Sequence, residues 1–550
     1  MSILTSALSL FPVLFYYGAM TDTLIQTAFR CAVLCMACIF LFGCGGDSRP
    51  LPDTLYVRLK RNPTTLDPAL IVDLDGARIA AKLFSGLVRF DDSLAAVPDL
   101  AESWAVSPDS RTYTFRLRQG SRFFNGRELL ADDVAYSFER VLNPQTRSPR
   151  TWVLSRIKGA QQFMRGDAAH LAGITVAGSY EISITLDEPF APFISLLGLT
   201  TAYVVPREEV ERRGADFGFY ASGSGPFVLA EWRHNQHVRL AANHNYAGPK
   251  PRLAGIWYKI IPEDFTALVA FEKGDLDLLP EIMASDYDRY LRDPKWRQYI
   301  NAAPGLNTYY LGLNCQMPPF TDVRVRRAMN YAIDREKMLA TIMSARGEPA
   351  AGPLPPQLRS GPAPAGYSYD PALARKLLAE AGFPQGFSMI IYQTADLENL
   401  DICQALQSYL RDVGINACIV QLEWSTFIET VAKGEAQAFW LSWWADYPDG
   451  ENFLYPMFHS ANWGAGGNKV RFKNPEIDSR IAQALSIMDT AKRQAAYREI
   501  EKEIVQEAPW VFFWHKADIS LRQPWVTGYR SCPLAVMDRG DGLAVSRPMR

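Results

Sequence analysis

His234, His237 and His244, three of the chain's six histidines, fall close together and form the first grouping with coordination chemistry to offer. Their spacing suits the surface of a hairpin as well as it suits zinc or nickel, and their neighbours read as an ordinary strand pair, so no metal site is expected from them. Paired carboxylates, the equipment of general acid and base chemistry, occur at Asp132-Asp133. They stand at a helix start, where capping and the helix dipole account for them. There is no GxSxG, no HExxH, no P-loop and no GxGxxG after a strand. No enzyme and no cofactor is expected. Beyond the N-terminal region the cysteines are Cys315, Cys403, Cys418 and Cys532, without CxxC or Cys/His zinc spacing. In an oxidising compartment Cys403 and Cys418 could join the end of a helix to the next strand; four buried free thiols are the equal alternative.

The elements that would position any such groups belong to a globular chain. Of 550 residues, 48% are apolar and 21% charged, which excludes disorder, collagen and coiled coil and allows about three domains. Acidic and basic side chains number 59 and 57, a net charge of −2, so there is no basic field for a phosphate backbone and nucleic acid is not an expected partner. Past residue 44 no apolar run approaches the roughly 18 residues of a membrane helix.

Before that point the chain reads as an address. Residues 31–42 are an apolar stretch after Arg30, too short to span a bilayer and suited to a signal-peptide core. Leu41-Phe-Gly-Cys44 resembles the lipobox of bacterial lipoproteins, which makes Cys44 the expected site of lipidation. Phe42 departs from the smaller residue preferred there. Met20 is a candidate start, because residues 20–30 make an independent n-region.

Downstream, strand and helix periodicities alternate. Tyr113, Phe115 and Leu117 share one face of a strand, as do Ile182, Ile184 and Leu186. Asp322 caps a helix carrying Val325, Ala328, Met329, Ala332 and Ile333. Asp370-Pro371 opens another with Leu373, Leu377, Leu378 and Ala381 inward, and residues 491–508 predict a third, ended by Pro509. The six prolines of 349–364 predict a long ordered loop over a surface. Mixed α/β with no internal repeat is the expected class.

A series of blocks resembles the solute-binding proteins of peptide ABC importers, the oligopeptide- and dipeptide-binding family. They include Thr65-Leu-Asp-Pro68, Leu83-Phe-Ser-Gly-Leu-Val-Arg-Phe90, Pro98-Asp-Leu-Ala-Glu-Ser-Trp104, Phe123-Phe-Asn-Gly126, Gly223-Ser-Gly-Pro-Phe227, Pro319-Phe-Thr-Asp322 and Leu377-Leu-Ala-Glu-Ala-Gly382. They run in the family's order over about residues 54–530. The resemblance implies a two-lobed, periplasmic-binding-protein-like fold of three domains. One lobe comprises 45–94, 220–305 and 516–550 with a smaller domain, 95–219, attached; the other is 306–515. The hinge crossings would lie near Leu306 and His515.

The resemblance also implies a site. Asp446, in Ala445-Asp446-Tyr447 after the tryptophan-rich run from Phe439, would pair with a peptide's α-ammonium. On residues alone it could equally stabilise the following turn, with Asp449 as the ligand's partner. Ser85, Gly86 and Leu87 on one lobe and Leu441, Ser442 and Trp443 on the other would offer strand edges to the peptide backbone, independent of side chains. Trp424 and Trp443 would line side-chain pockets, with Phe513 a further candidate near the hinge. No basic residue lies between Phe439 and Asp446, where some oligopeptide binders carry an arginine; Trp440 has the comparable place, and the partner of a ligand carboxylate is left unassigned. The function implied is a non-enzymatic, monomeric receptor of the periplasm or cell envelope, lipid-anchored through Cys44, that passes short peptides to a membrane permease. The alternative is a receptor for a nickel-like metal, a metallophore using His459, or another non-peptide solute.

Overall fold

Period-two alternation builds the smaller sheet of the computed structural model, which describes residues 51–464 and 467–547. The signal-like stretch and Cys44 lie outside the described residues. Tyr113, Phe115 and Leu117 are buried, and Thr112–Leu117 pairs antiparallel with Glu181–Thr185, placing Tyr113 opposite Ile184 and Phe115 opposite Ile182. Ala101–Val106 and Ile174–Gly178 complete a four-stranded sheet.

Twelve strands form one large sheet, joined across its middle by Trp510–Arg522. The first half of that strand pairs with Asn307–Leu313, which in turn pairs with Ala438–Trp444; the second half pairs with Ile300–Pro304. The chain therefore crosses between the two halves at 304–307 and again at 515–517. Asn307 clasps the crossings as a strand would: its Nδ2 donates to the Lys516 carbonyl at 2.8 Å and its Oδ1 accepts from the Lys516 N–H at 2.7 Å. His515 Nδ1 lies 2.9 Å from the Asn307 carbonyl, and burial lowers the imidazole pKa to about 4.

Helices begin where the caps predict. Asp322, Asp370 and Asp489 each accept a backbone N–H in the first turn of Val323–Tyr331, Pro371–Glu380 and Thr490–Glu507. The first of these ends at Tyr331, with Ala332 and Ile333 buried beyond it. In the second the buried line is Ala374 and Leu378, and Leu373 is only half-buried.

Two expectations change. The segment 349–364 is a surface loop only in part: Gln357 and 361–363 are exposed, whereas Ala350, Gly352, Pro353, Leu354 and Pro355 are buried. A loop can be buried where its polar groups are paired, and proline has no N–H to satisfy. Here Thr308 Oγ1 donates to the Pro353 carbonyl at 2.8 Å, the Leu354 N–H donates to Glu501 Oε1, and Glu501 pairs with Arg359 at 3.0 Å. The four cysteines among the described residues are free, and of these Cys315 and Cys403 are buried. Cys403 faces inward from the helix Leu397–Asp412, while Cys418 follows buried Ala417 in Asn416–Leu422 and points to the other face of the sheet. A Cys403–Cys418 bridge is excluded by that alternation.

Candidate ligand-binding site

Asp446 is placed by the end of the strand Ala438–Trp444 and by one buried amide. The Ala445 N–H donates to the Leu306 carbonyl at 2.8 Å, and the Asp446 N–H donates to Asn452 Oδ1 at 2.8 Å. The Asn452 backbone carbonyl accepts the Trp443 indole N–H at 2.7 Å, so one residue, through its main chain and its side-chain amide, ties the tryptophan, the loop and the following helix together. That helix, Glu451–Phe458, starts with Asp449 Oδ1 accepting the Glu451 N–H. Asp449 itself is buried and pairs with Arg493 at 3.4 Å. It is not among the residues lining the cavity described next.

Trp443, Asp446, Tyr447 and Glu451 form one wall of a cavity of about 820 Å³. The facing wall comes from the region of the small sheet and carries Arg150, Trp152, Arg156 and Phe190. The walls touch. Arg150 Nη1 lies 3.0 Å from Asp446 Oδ1, the Trp152 and Tyr447 rings stand 6.2 Å apart, and the Ala191 N–H donates to the Leu485 carbonyl at 2.8 Å. Arg156 lies over the Phe190 ring at 4.0 Å. The Tyr447 hydroxyl donates to Glu451 Oε2, and burial pushes the Glu451 carboxyl up to about 7.

The other expected residues are distributed unevenly. Leu441 and Ser442 lie in Ala438–Trp444, whose pairing with Ser388–Thr394 stops at Phe439, so 441–444 have a strand partner on one side only, Asn307–Leu313. That is a free edge. The 85–87 segment is not: the Ser85 carbonyl accepts from Val204, that of Gly86 from Leu100, and that of Leu87 from Asp99 and Ala101. Ser85 Oγ accepts from Arg539 and belongs to a second, smaller cavity of about 280 Å³. Trp424 is 58% exposed at the start of Trp424–Lys433 and lies against Phe427, away from the cavity lining. Phe513 is fully buried between Trp440 and Trp514, a core residue rather than a pocket wall. A bulky apolar run in a central strand supplies core on both faces, which is why it imitates a pocket.

His237 lies 3.1 Å from Glu231 across the expected hairpin. His459 stacks on Tyr455 and uses Nδ1 to accept the Ala461 N–H as a helix cap. Among the described residues no three His, Cys, Asp or Glu groups converge as metal ligands. Arg150, Trp152, Arg156 and Glu451 escaped the sequence reading. Glu451 stood in the run after Asp446, but the arginines lie almost 300 residues upstream, outside every block.

The profile of the bacterial extracellular solute-binding proteins, family 5, matches residues 95–465. A probable di/tripeptide-binding protein of Pseudomonas aeruginosa is 30% identical over 505 residues, 88% of this chain and 94% of the relative. Heme-binding protein A of Haemophilus influenzae is 28% identical over 492 residues, 86% of this chain and 88% of the relative. The structure of the murein tripeptide binding protein of Escherichia coli, 28% identical, superposes with a TM-score of 0.74 over 90% of this chain and 99% of that one.

Proposed function

The chain belongs to the bacterial extracellular solute-binding proteins of family 5, and from that we propose that it captures short peptides between two lobes outside the cytoplasmic membrane and delivers them to an ABC permease. The lobes are the two halves of the large sheet, 306–515 against the remainder, with 95–219 as a smaller domain and the crossings at Leu306 and His515 as the hinge. Lipidation of Cys44 would hold a monomeric receptor at the membrane. The observation that carries the reading is Asp446 at the cavity wall beside the unpaired edge of 441–444. A carboxylate takes the peptide's ammonium, the edge pairs with its backbone, and Trp443 packs beside it, none of which requires a particular peptide side chain. Arg150 pairs with Asp446 at 3.0 Å, and an incoming ammonium would displace it. Capture and release call for micromolar affinity, about −8 kcal/mol.

The test is calorimetry with free and N-acetylated tripeptides. Asp446→Asn should weaken binding of the free-amine peptide by about tenfold to a hundredfold, the scale of a hydrogen bond to a charged group. The acetylated peptide should bind both proteins alike. Equal losses for the two peptides would remove Asp446 from the role.

A further inference from the structure

The wall that carries Asp446 offers nothing to a ligand's carboxylate, since 439–446 contains no basic residue. The facing wall contributes two guanidinium groups, and they are in different states. Arg150 is engaged with Asp446. Arg156 is half-buried, has its central carbon 4.0 Å from the Phe190 ring centroid, and makes no ion pair among the described residues. A guanidinium held against a ring gains cation–π attraction and keeps N–H donors for a partner. The carboxyl whose field it does feel, Glu451, has one oxygen taken by the Tyr447 hydroxyl. The cavity lining therefore holds a guanidinium that, among the described residues, has no ion-pair partner although Asp187, Glu188 and Glu451 share the lining, and, on the facing wall, the anion expected to take an amine.

We propose that Arg156 is the carboxylate acceptor of this receptor, so that the site takes short free-acid peptides as zwitterions, amine toward Asp446 and carboxylate toward Arg156. This rests on the peptide reading above and deepens it. The planar fork of arginine matches both carboxylate oxygens, a geometry lysine does not reproduce. Enclosure of both ends in one cavity of about 820 Å³ favours short ligands. Arg156 lies six residues beyond Arg150, across the single turn Thr151–Val153, and both line the same cavity as Asp446, in the loop before the helix Glu451–Phe458, and Glu451 at its first turn. An extended di- or tripeptide spans ~7–10 Å.

The experiment is calorimetry of the purified protein with trialanine, its C-terminal amide and its N-acetyl form, on wild type, Arg156→Gln and Arg156→Lys. Wild type should bind the free acid about tenfold or more tightly than the amide. Arg156→Gln should remove that preference by weakening the acid while leaving the amide unchanged, which also shows that the variant is folded, and Arg156→Lys should recover part of it. If wild type treats acid and amide alike, or if Arg156→Gln weakens both equally, the assignment of Arg156 is overturned while the peptide reading stands on the free and acetylated arms. If wild type binds none of the three peptides, the peptide reading falls and this assignment falls with it.

Discussion

Glu451 presents a carboxyl to the cavity wall from a site that is almost fully buried, and its proton is the natural currency of that position. Its pKa rises from 4.5 to about 7, chiefly through desolvation, with the Tyr447 hydroxyl and Arg156 opposing the rise and Asp449 adding to it. Between these two values the unfolded chain has released the proton and the folded chain has kept it. Folding therefore takes up a proton in that window, and the residue's contribution to stability falls as pH rises from about 4.5 to about 7, then levels off. His515 acts in the opposite sense: its pKa is lowered to about 4 by burial, so its contribution is whole above 6.5 and is lost as pH falls toward 4. Glu451→Gln keeps an acceptor for Tyr447 and removes the titration. Its melting temperature should gain on wild type steadily between about pH 5 and pH 7 and hold a constant offset above that. A difference independent of pH, followed by circular dichroism, would show that Glu451 is already ionised in the folded protein.

The strand Trp510–Arg522 is the element on which both halves of the large sheet depend, and Asn307 is the side chain that keeps its two pairings in register. Asn307→Ala removes the side-chain partners of the part-buried N–H and C=O of Lys516, which should cost about 1–2 kcal/mol in urea denaturation. An unchanged midpoint would mean that backbone pairing on either side suffices to hold the crossing. The same strand shows what the chain reveals of itself. Thr112–Leu117 is legible because one face is wet, so Tyr113, Phe115 and Leu117 stand out against polar neighbours. Trp510–Arg522 is buried from Trp510 to His515, so no alternation marks it, and Phe513 looks like a pocket residue until its neighbours Trp440 and Trp514 are seen. In 349–364 the prolines suggest a surface although Glu501 satisfies the loop from the inside. At the site, Asp446 and Trp443 could be found because they share one stretch of chain. Arg150 and Arg156 could not, since only folding brings the small sheet's region against 443–451.

Across the whole molecule the two walls meet through few polar contacts, and one of them uses the group that a ligand would need. The Arg150–Asp446 pair is about one quarter exposed on each side, 27% and 29%, so water screens it and its contribution to holding the walls together is at most about 1 kcal/mol. A weak internal pair is suited to this place. It orients Asp446, and under the proposed function it would yield to an ammonium arriving with a peptide backbone able to pair along 441–444. Displacement still has a cost, and that cost is subtracted from the affinity for every free-amine ligand while leaving acetylated ones untouched. Arg150→Gln should therefore tighten binding of a free-amine tripeptide by up to about fivefold and leave its N-acetyl form unchanged, in titrations at low ionic strength where the pair is least screened. Weaker binding of the free-amine peptide by Arg150→Gln would instead make the arginine part of the ligand's own shell, with Asp446 shared between guanidinium and ammonium in the loaded receptor.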